Sequence, residues 1–262
     1  MNKQTFLYFF SETGAIGRLL VASLFTAIPP AIFLVLNRIG FSVLSQHWWG
    51  ALLLISSLPA ALFWILVFGY YQRYGALVLE DLETPLPEWR GFSDLLRRGI
   101  RVAALILVCF SPTWLFLALG SYFGLRIPGG IELSYLAYSF FAVFSFLAAF
   151  FLALLLLLIF PVCFFRFVES DELIWTVLPA EVLEDTSGMG SGYWQMFLFS
   201  GAFFFLGMTV AVYMASILSV VIGAPLPGEI FALSAFSVLF NYFALLMIKR
   251  HGVLYAELPY KY

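Results

Sequence analysis

The sequence is short of charge: only 11% of its 262 residues are Asp, Glu, Lys or Arg, whereas 63% are hydrophobic. About a quarter of the residues in a soluble globular domain are charged, so this chain has too little polar surface to cover itself in water. A helix needs about 20 predominantly apolar residues to cross the hydrocarbon core of a bilayer. The sequence contains several such runs, which predict an integral membrane protein without a soluble domain of ordinary size.

Histidine and cysteine are equally scarce, with two of each. Cys109 and Cys163 lie in or beside apolar runs, which is typical of buried small side chains and not of a disulfide framework or metal site. His47, beside two tryptophans, is a candidate haem or chlorin ligand, although an isolated interfacial histidine is more often simply polar. The sequence also lacks H-E-x-x-H, G-x-S-x-G and Walker-type motifs. We therefore expect no enzyme, no cofactor and no metal site and, without a basic surface, no nucleic-acid partner.

The apolar runs predict an all-α fold, an integral membrane helix bundle with about six transmembrane helices in a single membrane domain, 1–262. The predicted spans are residues 17–36, 48–71, 102–124, 135–160, 193–221 and 230–248. Pro29, Pro30 and Pro112 lie inside spans and are expected to kink or break them, because proline removes a backbone donor. Two longer polar segments, 72–101 and 161–192, separate the second span from the third and the fourth from the fifth.

The distribution of basic residues predicts the orientation of the bundle. If the N-terminus is cytoplasmic, eleven of the thirteen Lys and Arg residues lie on the cytoplasmic side, and only Arg38 and Arg126 lie outside. This split satisfies the positive-inside rule. We therefore expect both ends in the cytoplasm, with 72–101 and 161–192 as cytoplasmic loops.

The second cytoplasmic loop is acidic. Its end, 185–192, is rich in Ser and Gly and predicts a flexible segment. Glu181, Glu184 and Asp185 form a candidate site for a divalent cation, although a solvated acidic loop is the more usual meaning of such a cluster. A third possibility is that the cluster docks on the arginines of the first loop, which are Arg90, Arg97, Arg98 and Arg101.

Ionisable residues are absent from the middle of every predicted span. Ion-coupled transporters usually need such groups at depth, so their absence argues against a proton relay or a voltage sensor. Asn241 is the most polar residue well inside a span; it is either a substrate or pore contact or, more commonly, part of an interhelical hydrogen bond. Gly120 and Gly124 form a G-x-x-x-G step that suits close helix packing.

Three short motifs surround the first cytoplasmic loop. They are Gly69-Tyr70-Tyr71-Gln72-Arg73, Leu86-Pro87-Glu88-Trp89, and Phe92-Ser93-Asp94-Leu95-Leu96 followed by Gly99. This order resembles a family of prokaryotic membrane proteins classed only as a domain of unknown function, and residues 6–10 and 13–29 are similar to the start of that family. The resemblance covers roughly the first 115 residues. It implies a bacterial or archaeal plasma membrane protein and a helix that ends at Gly99, and it brings no assigned activity.

These motifs predict a corner at which the chain re-enters the membrane. Ser93 is a candidate N-cap, and Asp94 and Arg98 are spaced to pair along one helix face. Arg73 is expected to pair with Glu88 or Asp94. A structural corner is the more usual meaning of such a motif than a ligand site. The candidate structural or partner-binding residues of the whole chain are Arg73, Glu88, Trp89, Asp94, Arg97, Arg98, Gly120, Gly124 and Asn241.

We expect a non-enzymatic integral membrane protein that serves as a scaffold or accessory subunit of a membrane assembly. Its partners would be membrane lipids and either further copies of the chain or other membrane subunits. A transporter or lipid-handling protein is the alternative, with a cavity lined by Asn241, Ser111 and the proline-containing segments. The two hypotheses differ in whether polar groups converge on a cavity or are used up in packing.

Overall fold

The computed structural model describes residues 14–43, 46–81, 84–125, 133–223 and 225–258, and these are almost entirely α-helical. Residues 6–10 and the side chain of His47 lie outside the described part of the chain. The helices are α1 (Ala15–Val43), α2 (Gln46–Glu80), α3 (Phe92–Cys109), α4 (Ser111–Leu125), α5 (Leu133–Ser170), α6 (Leu173–Thr176), α7 (Pro179–Gly188), α8 (Gly190–Ile222) and α9 (Pro225–Ala256).

The helices confirm the prediction of an all-α membrane bundle. Five of the described helices (α1, α2, α5, α8 and α9) are long and apolar enough to cross a bilayer. The sixth candidate span consists of α3 and α4, which meet at Phe110 with a bend of 60°. The N-in/C-in orientation remains a prediction.

Pro112 explains the bend between α3 and α4. A proline has no N–H to donate, so it leaves the carbonyl four residues earlier without its helical partner. That carbonyl belongs to Val108, and the Ser111 hydroxyl donates to it instead, at 2.8 Å. The predicted kink at Ser111 and Pro112 is thus a true break, whereas Pro29 and Pro30 lie inside the uninterrupted α1.

The contacts of the chain group it into two compact units, Met1–Val102 with Met189–Tyr262, and Ala103–Gly188. In the first unit, α9 packs against α1, α2 and α8. The fully buried side chains of this unit include several large aromatic or polar ones. They are Tyr70, Tyr74, Tyr193, Tyr255 and His251. The core of the first unit is therefore partly polar, and its hydroxyl and ring nitrogen atoms need partners inside the protein.

Within the first unit, α2 and α3 cross backbone to backbone through two glycines. A Cβ built on Gly69 would lie 1.8 Å from the carbonyl oxygen of Leu95, and one on Gly99 would lie 1.8 Å from that of Ile65. The two contacts are one helical turn apart on each helix. Gly99 therefore does not end the helix, as the resemblance implied; it lies inside α3 and lets the two helices approach.

In the second unit, α5 packs against α4 through small residues. Ala142, Ser145 and Ala149 are buried on α5. On α4, Gly120 is covered by the ring of Phe146, 3.1 Å from where a Cβ would be, whereas Gly124 has nothing within 4 Å of that position. The predicted G-x-x-x-G step therefore packs closely at one of its two glycines.

The segment predicted as the second cytoplasmic loop, 161–192, is more helical than expected. α5 does not end at the predicted span boundary, 160, but runs through Pro161 to Ser170. The prediction of a flexible segment at 185–192 is wrong in the structure, because α7 extends to Gly188 and α8 begins at Gly190. The buried Thr186 hydroxyl donates to the carbonyl of Val182 at 2.6 Å. Ser and Thr that bond within their own helix do not interrupt it.

Candidate functional site

The candidate site is the corner between α2 and α3, where residues 84–91 form a non-helical strap. Pro85 and Pro87 have no N–H groups, so this strap cannot form a regular hydrogen-bonding pattern of its own. Its carbonyls instead accept hydrogen bonds from side chains on three helices of the first unit. The pairs are Arg18 to Leu86, Tyr70 to Pro87 at 3.0 Å, Arg73 to Glu88 at 3.3 Å and to Arg90 at 2.7 Å, and Lys249 to Thr84 at 3.3 Å.

Trp89 fixes the middle of the strap against α1 and α2. Its ring stacks on Tyr70, with centroids 4.2 Å apart and planes 3° from parallel. The edge of Phe25 meets it at 5.2 Å. The indole Nε1–H donates to the carbonyl of Arg18 at 3.1 Å. Trp89 is therefore half-buried within the first unit, and its one polar atom is satisfied by the protein.

Asp94 joins the start of α3 to α2. Its carboxylate accepts from Arg73 at 2.7 Å and from Arg98 at 2.9 Å. Of the two predicted partners of Arg73, Asp94 forms the ion pair, whereas the Glu88 carboxylate pairs with Arg90. The Asp94 carboxylate thus holds the first turn of α3 against α2 through Arg73, and Arg98 supports it along α3 itself.

The remaining residues of the corner are those at the start of α3 and Arg97. The prediction of Ser93 as N-cap is wrong, because α3 already begins at Phe92 and Ser93 lies within its first turn. Gly91, with φ of +66°, precedes the helix and its carbonyl accepts from the Leu95 N–H. A left-handed φ is cheap for glycine and strained for other residues. Arg97 is exposed on the surface of α3.

Asn241 lies at the meeting point of three helices of the first unit and is fully buried. Its Oδ1 accepts from the Tyr71 hydroxyl of α2 at 2.7 Å. Its Nδ2 donates to Thr26 Oγ1 of α1 at 2.8 Å and to the Ser237 carbonyl of α9 itself at 2.7 Å. This geometry is that of an interhelical hydrogen bond, with both amide N–H donors in use.

A second polar cluster lies in the second unit and joins two of the predicted acidic residues to Arg166, a partner that was not predicted for them. Arg166, near the end of α5, binds the Asp185 carboxylate at 2.8 Å and also pairs with Glu181, both on α7. Asp185 is almost completely buried. Among the described residues, no His, Cys, Asp or Glu group is arranged to hold a metal ion. Two members of the candidate cation cluster thus bind an arginine, while Glu184 stays exposed.

The sequence of the chain was compared with known protein families, curated proteins and solved structures. A family described as protein of unknown function (DUF4013) matches residues 52–220. The chain belongs to this family. The match includes the strap and the α2–α3 crossing. It begins after residues 6–29, which the resemblance also covered, and it extends well past residue 115. No curated protein and no solved structure matches the chain.

The contacts at the corner explain most residues of the motif Gly69-Tyr70-Tyr71-Gln72-Arg73 in this DUF4013 chain. Gly69 permits the helix crossing, Tyr70 carries the strap and Trp89, and Tyr71 reaches Asn241. Arg73 binds both the strap and Asp94. All four interactions are directed into the protein. The arrangement is suited to fixing a re-entry corner.

Proposed function

We propose that this DUF4013 protein is a non-enzymatic scaffold or accessory subunit of a prokaryotic plasma membrane, and that it assembles with a second copy of itself through α5. The observation that carries the proposal is a heptad-spaced stripe among the large apolar side chains that α5 leaves exposed around much of its circumference. We define the α5 stripe as Phe140, Phe144, Leu147, Phe151 and Leu154, which are all exposed.

The spacing of the α5 stripe supports packing against another helix. Its members follow one another at alternating intervals of four and three residues, as in the seam of a coiled coil. Phe140 and Phe151 are each 65% exposed. The small residues of α5 lie on the buried face and are already used against α4, so a further helix would meet the aromatic stripe. A heptad-spaced seam is compatible with a two-fold axis, because the same surface serves both partners.

Transport receives less support from the same residues. A substrate cavity needs polar groups that are not already used in packing. Asn241 bonds to α1 and α2, and the Ser111 hydroxyl bonds to the Val108 carbonyl across the break between α3 and α4. Both residues expected to line a cavity are therefore engaged elsewhere.

Cysteine cross-linking in native membranes tests the proposal. Phe144→Cys and Phe151→Cys would be made in a chain whose Cys109 and Cys163 are replaced by Ser. Ala149→Cys is the matched control, because it lies on the buried face of the same helix. Oxidation should join two chains through at least one stripe position and leave the control monomeric.

Native mass spectrometry of the unmodified protein in mild detergent gives an independent reading. A mass of twice 29.5 kDa supports a homodimer. Foreign subunits in a stable particle would keep the accessory role but replace self-assembly with partner assembly. A single chain without stripe cross-links would refute the proposal.

A further inference from the structure

An open groove lies between α8 and α9 in the first unit, where the start of one helix faces the end of the other. Its volume is about 760 Å³ and its walls include Gln195, Met196, Phe199, Arg250 and Leu254. The volume is within the range of about 300–1,000 Å³ that is usual for small-molecule sites. Most of the wall is apolar, and Arg250 supplies its positive charge.

Arg250 differs from the residues on either side of it. Lys249 is buried and donates to the Thr84 carbonyl of the strap. His251 is buried against the ring of Tyr193, with centroids 4.7 Å apart. The half-buried Arg250, by contrast, makes no hydrogen bond or ion pair within the part of the chain that the structure describes. A guanidinium that is partly removed from water and has no anion beside it favours an anionic ligand.

The position of the groove relative to the predicted spans indicates the kind of anion. The sixth predicted span ends at 248, so Arg250 lies at the level of lipid headgroups on the predicted cytoplasmic side. The fifth begins at 193, so Met196 and Phe199 lie at increasing depth in the hydrocarbon region. Basic pockets between transmembrane helices on the cytoplasmic side are suited to anionic lipid headgroups. The charge is at the mouth and the apolar wall leads inward, which matches the shape of a phospholipid.

We propose that this groove binds an anionic phospholipid, with its phosphate on Arg250 and one acyl chain along Met196 and Phe199. This site is separate from the α5 stripe and goes beyond the scaffold role. Because guanidinium and phosphate match in geometry and can form two parallel hydrogen bonds, the headgroup phosphate is the natural partner of Arg250.

A second groove provides an internal contrast. It lies between α1 and α9, has a volume of about 370 Å³, and includes Leu24, Ala27 and Val238 in its wall. No charged residue lines it in the described part of the chain. Such a groove accommodates an acyl chain of any lipid, so headgroup selectivity is expected only at the Arg250 groove.

Lipid titration followed by native mass spectrometry tests the proposal. The full chain in detergent would be titrated with phosphatidylglycerol and, separately, with phosphatidylcholine. Phosphatidylglycerol should bind more tightly, and Arg250→Gln should weaken it by about ten- to a hundredfold, as expected for loss of a hydrogen bond to a charged group. Arg97→Gln is the matched control, because it removes the same charge from an exposed position on α3.

Three results would overturn the proposal. Equal affinity of the unmodified protein for the two lipids would remove the charge selectivity. Unchanged phosphatidylglycerol binding by Arg250→Gln, with its circular dichroism spectrum intact, would place the lipid elsewhere. Displacement of the lipid by millimolar inorganic phosphate would indicate a site for free phosphate. Arg250→Lys serves as the conservative variant and should retain part of the selectivity, because it keeps the charge and loses the two-pronged geometry.

Discussion

The crossing of α2 and α3 predicts that adding a single methyl group at Gly69 or Gly99 destabilises the fold. Each added Cβ would lie 1.8 Å from a carbonyl oxygen of the opposite helix, belonging to Leu95 or Ile65 respectively. These oxygens are part of helical backbone, so they cannot rotate away as the end of a side chain does. The helices must separate locally to admit an alanine.

The size of the effect follows from the separation required. Ordinary contact begins at 3.4 Å, so an obstacle at 1.8 Å must move by about 1.6 Å. Overpacking of this kind costs about 1–3 kcal/mol, occasionally more. The better helix propensity of alanine returns up to about 1 kcal/mol. We expect a net loss of about 1–3 kcal/mol for each substitution, because the movement also pulls Asp94 of α3 away from Arg73 of α2.

A matched control separates crowding from the general effect of replacing glycine. Gly201 lies within α8, and a Cβ there has nothing within 4 Å. Gly201→Ala should therefore be neutral or stabilising by up to about 1 kcal/mol. The double variant at Gly69 and Gly99 should cost less than the sum of the two single ones, because one separation relieves both clashes.

Reversible unfolding in mixed micelles of dodecyl maltoside and dodecyl sulfate, followed by far-UV circular dichroism, gives the free energies. The reasoning fails if Gly69→Ala is as stable as Gly201→Ala. It also fails if the two crowding substitutions are strictly additive, since that would mean that the two contacts move independently.

Two further predictions concern the buried polar groups. Arg166→Leu should lower the free energy of unfolding by about 3–5 kcal/mol, because it leaves Asp185, only 4% exposed, without its cation. Adding Asp185→Leu should restore much of the lost stability. A double variant that is no more stable than Arg166→Leu would contradict this prediction. Asn241→Leu should cost about 1–3 kcal/mol, since interhelical hydrogen bonds in membranes contribute about 0.6 kcal/mol on average and up to about 1.7. In a double-mutant cycle with Tyr71→Phe, measured by the same unfolding, a coupling energy near zero would contradict the hydrogen bond.

Hydropathy was sufficient to predict the transmembrane helices but not their ends. The predicted second span ends at 71, whereas α2 continues to Glu80; the predicted fourth ends at 160, whereas α5 continues to Ser170. The length of an apolar run indicates how many residues of a helix lie in the hydrocarbon region of the bilayer. The helix itself ends where its backbone hydrogen bonds stop, and that depends on local capping and on packing outside the membrane.

Within the corner, the predictable contacts were those between opposite charges at short separation. Arg73 with Asp94, and Asp94 with Arg98, follow from charge and spacing. The stacking of Trp89 on Tyr70 and the hydrogen bond from Trp89 to Arg18 join residues that are distant in sequence, so no local pattern indicates them. The resemblance implies a helix end at Gly99, whereas the structure has a helix crossing there. In sequence, a glycine that admits a neighbouring backbone looks the same as one that ends a helix.

The direction of these polar contacts bears on where a ligand can bind. Arg18 and Arg73 donate hydrogen bonds to carbonyls of the strap. Asn241 is hydrogen-bonded to side chains of α1 and α2. These groups therefore form their hydrogen bonds within the chain. A binding residue needs an unsatisfied group at an accessible surface. Arg250 meets both conditions within the described residues, since it lines an open groove and lacks a protein partner. The contacts at the corner therefore account for how the chain folds there, whereas Arg250 is the residue at which we propose that a lipid binds.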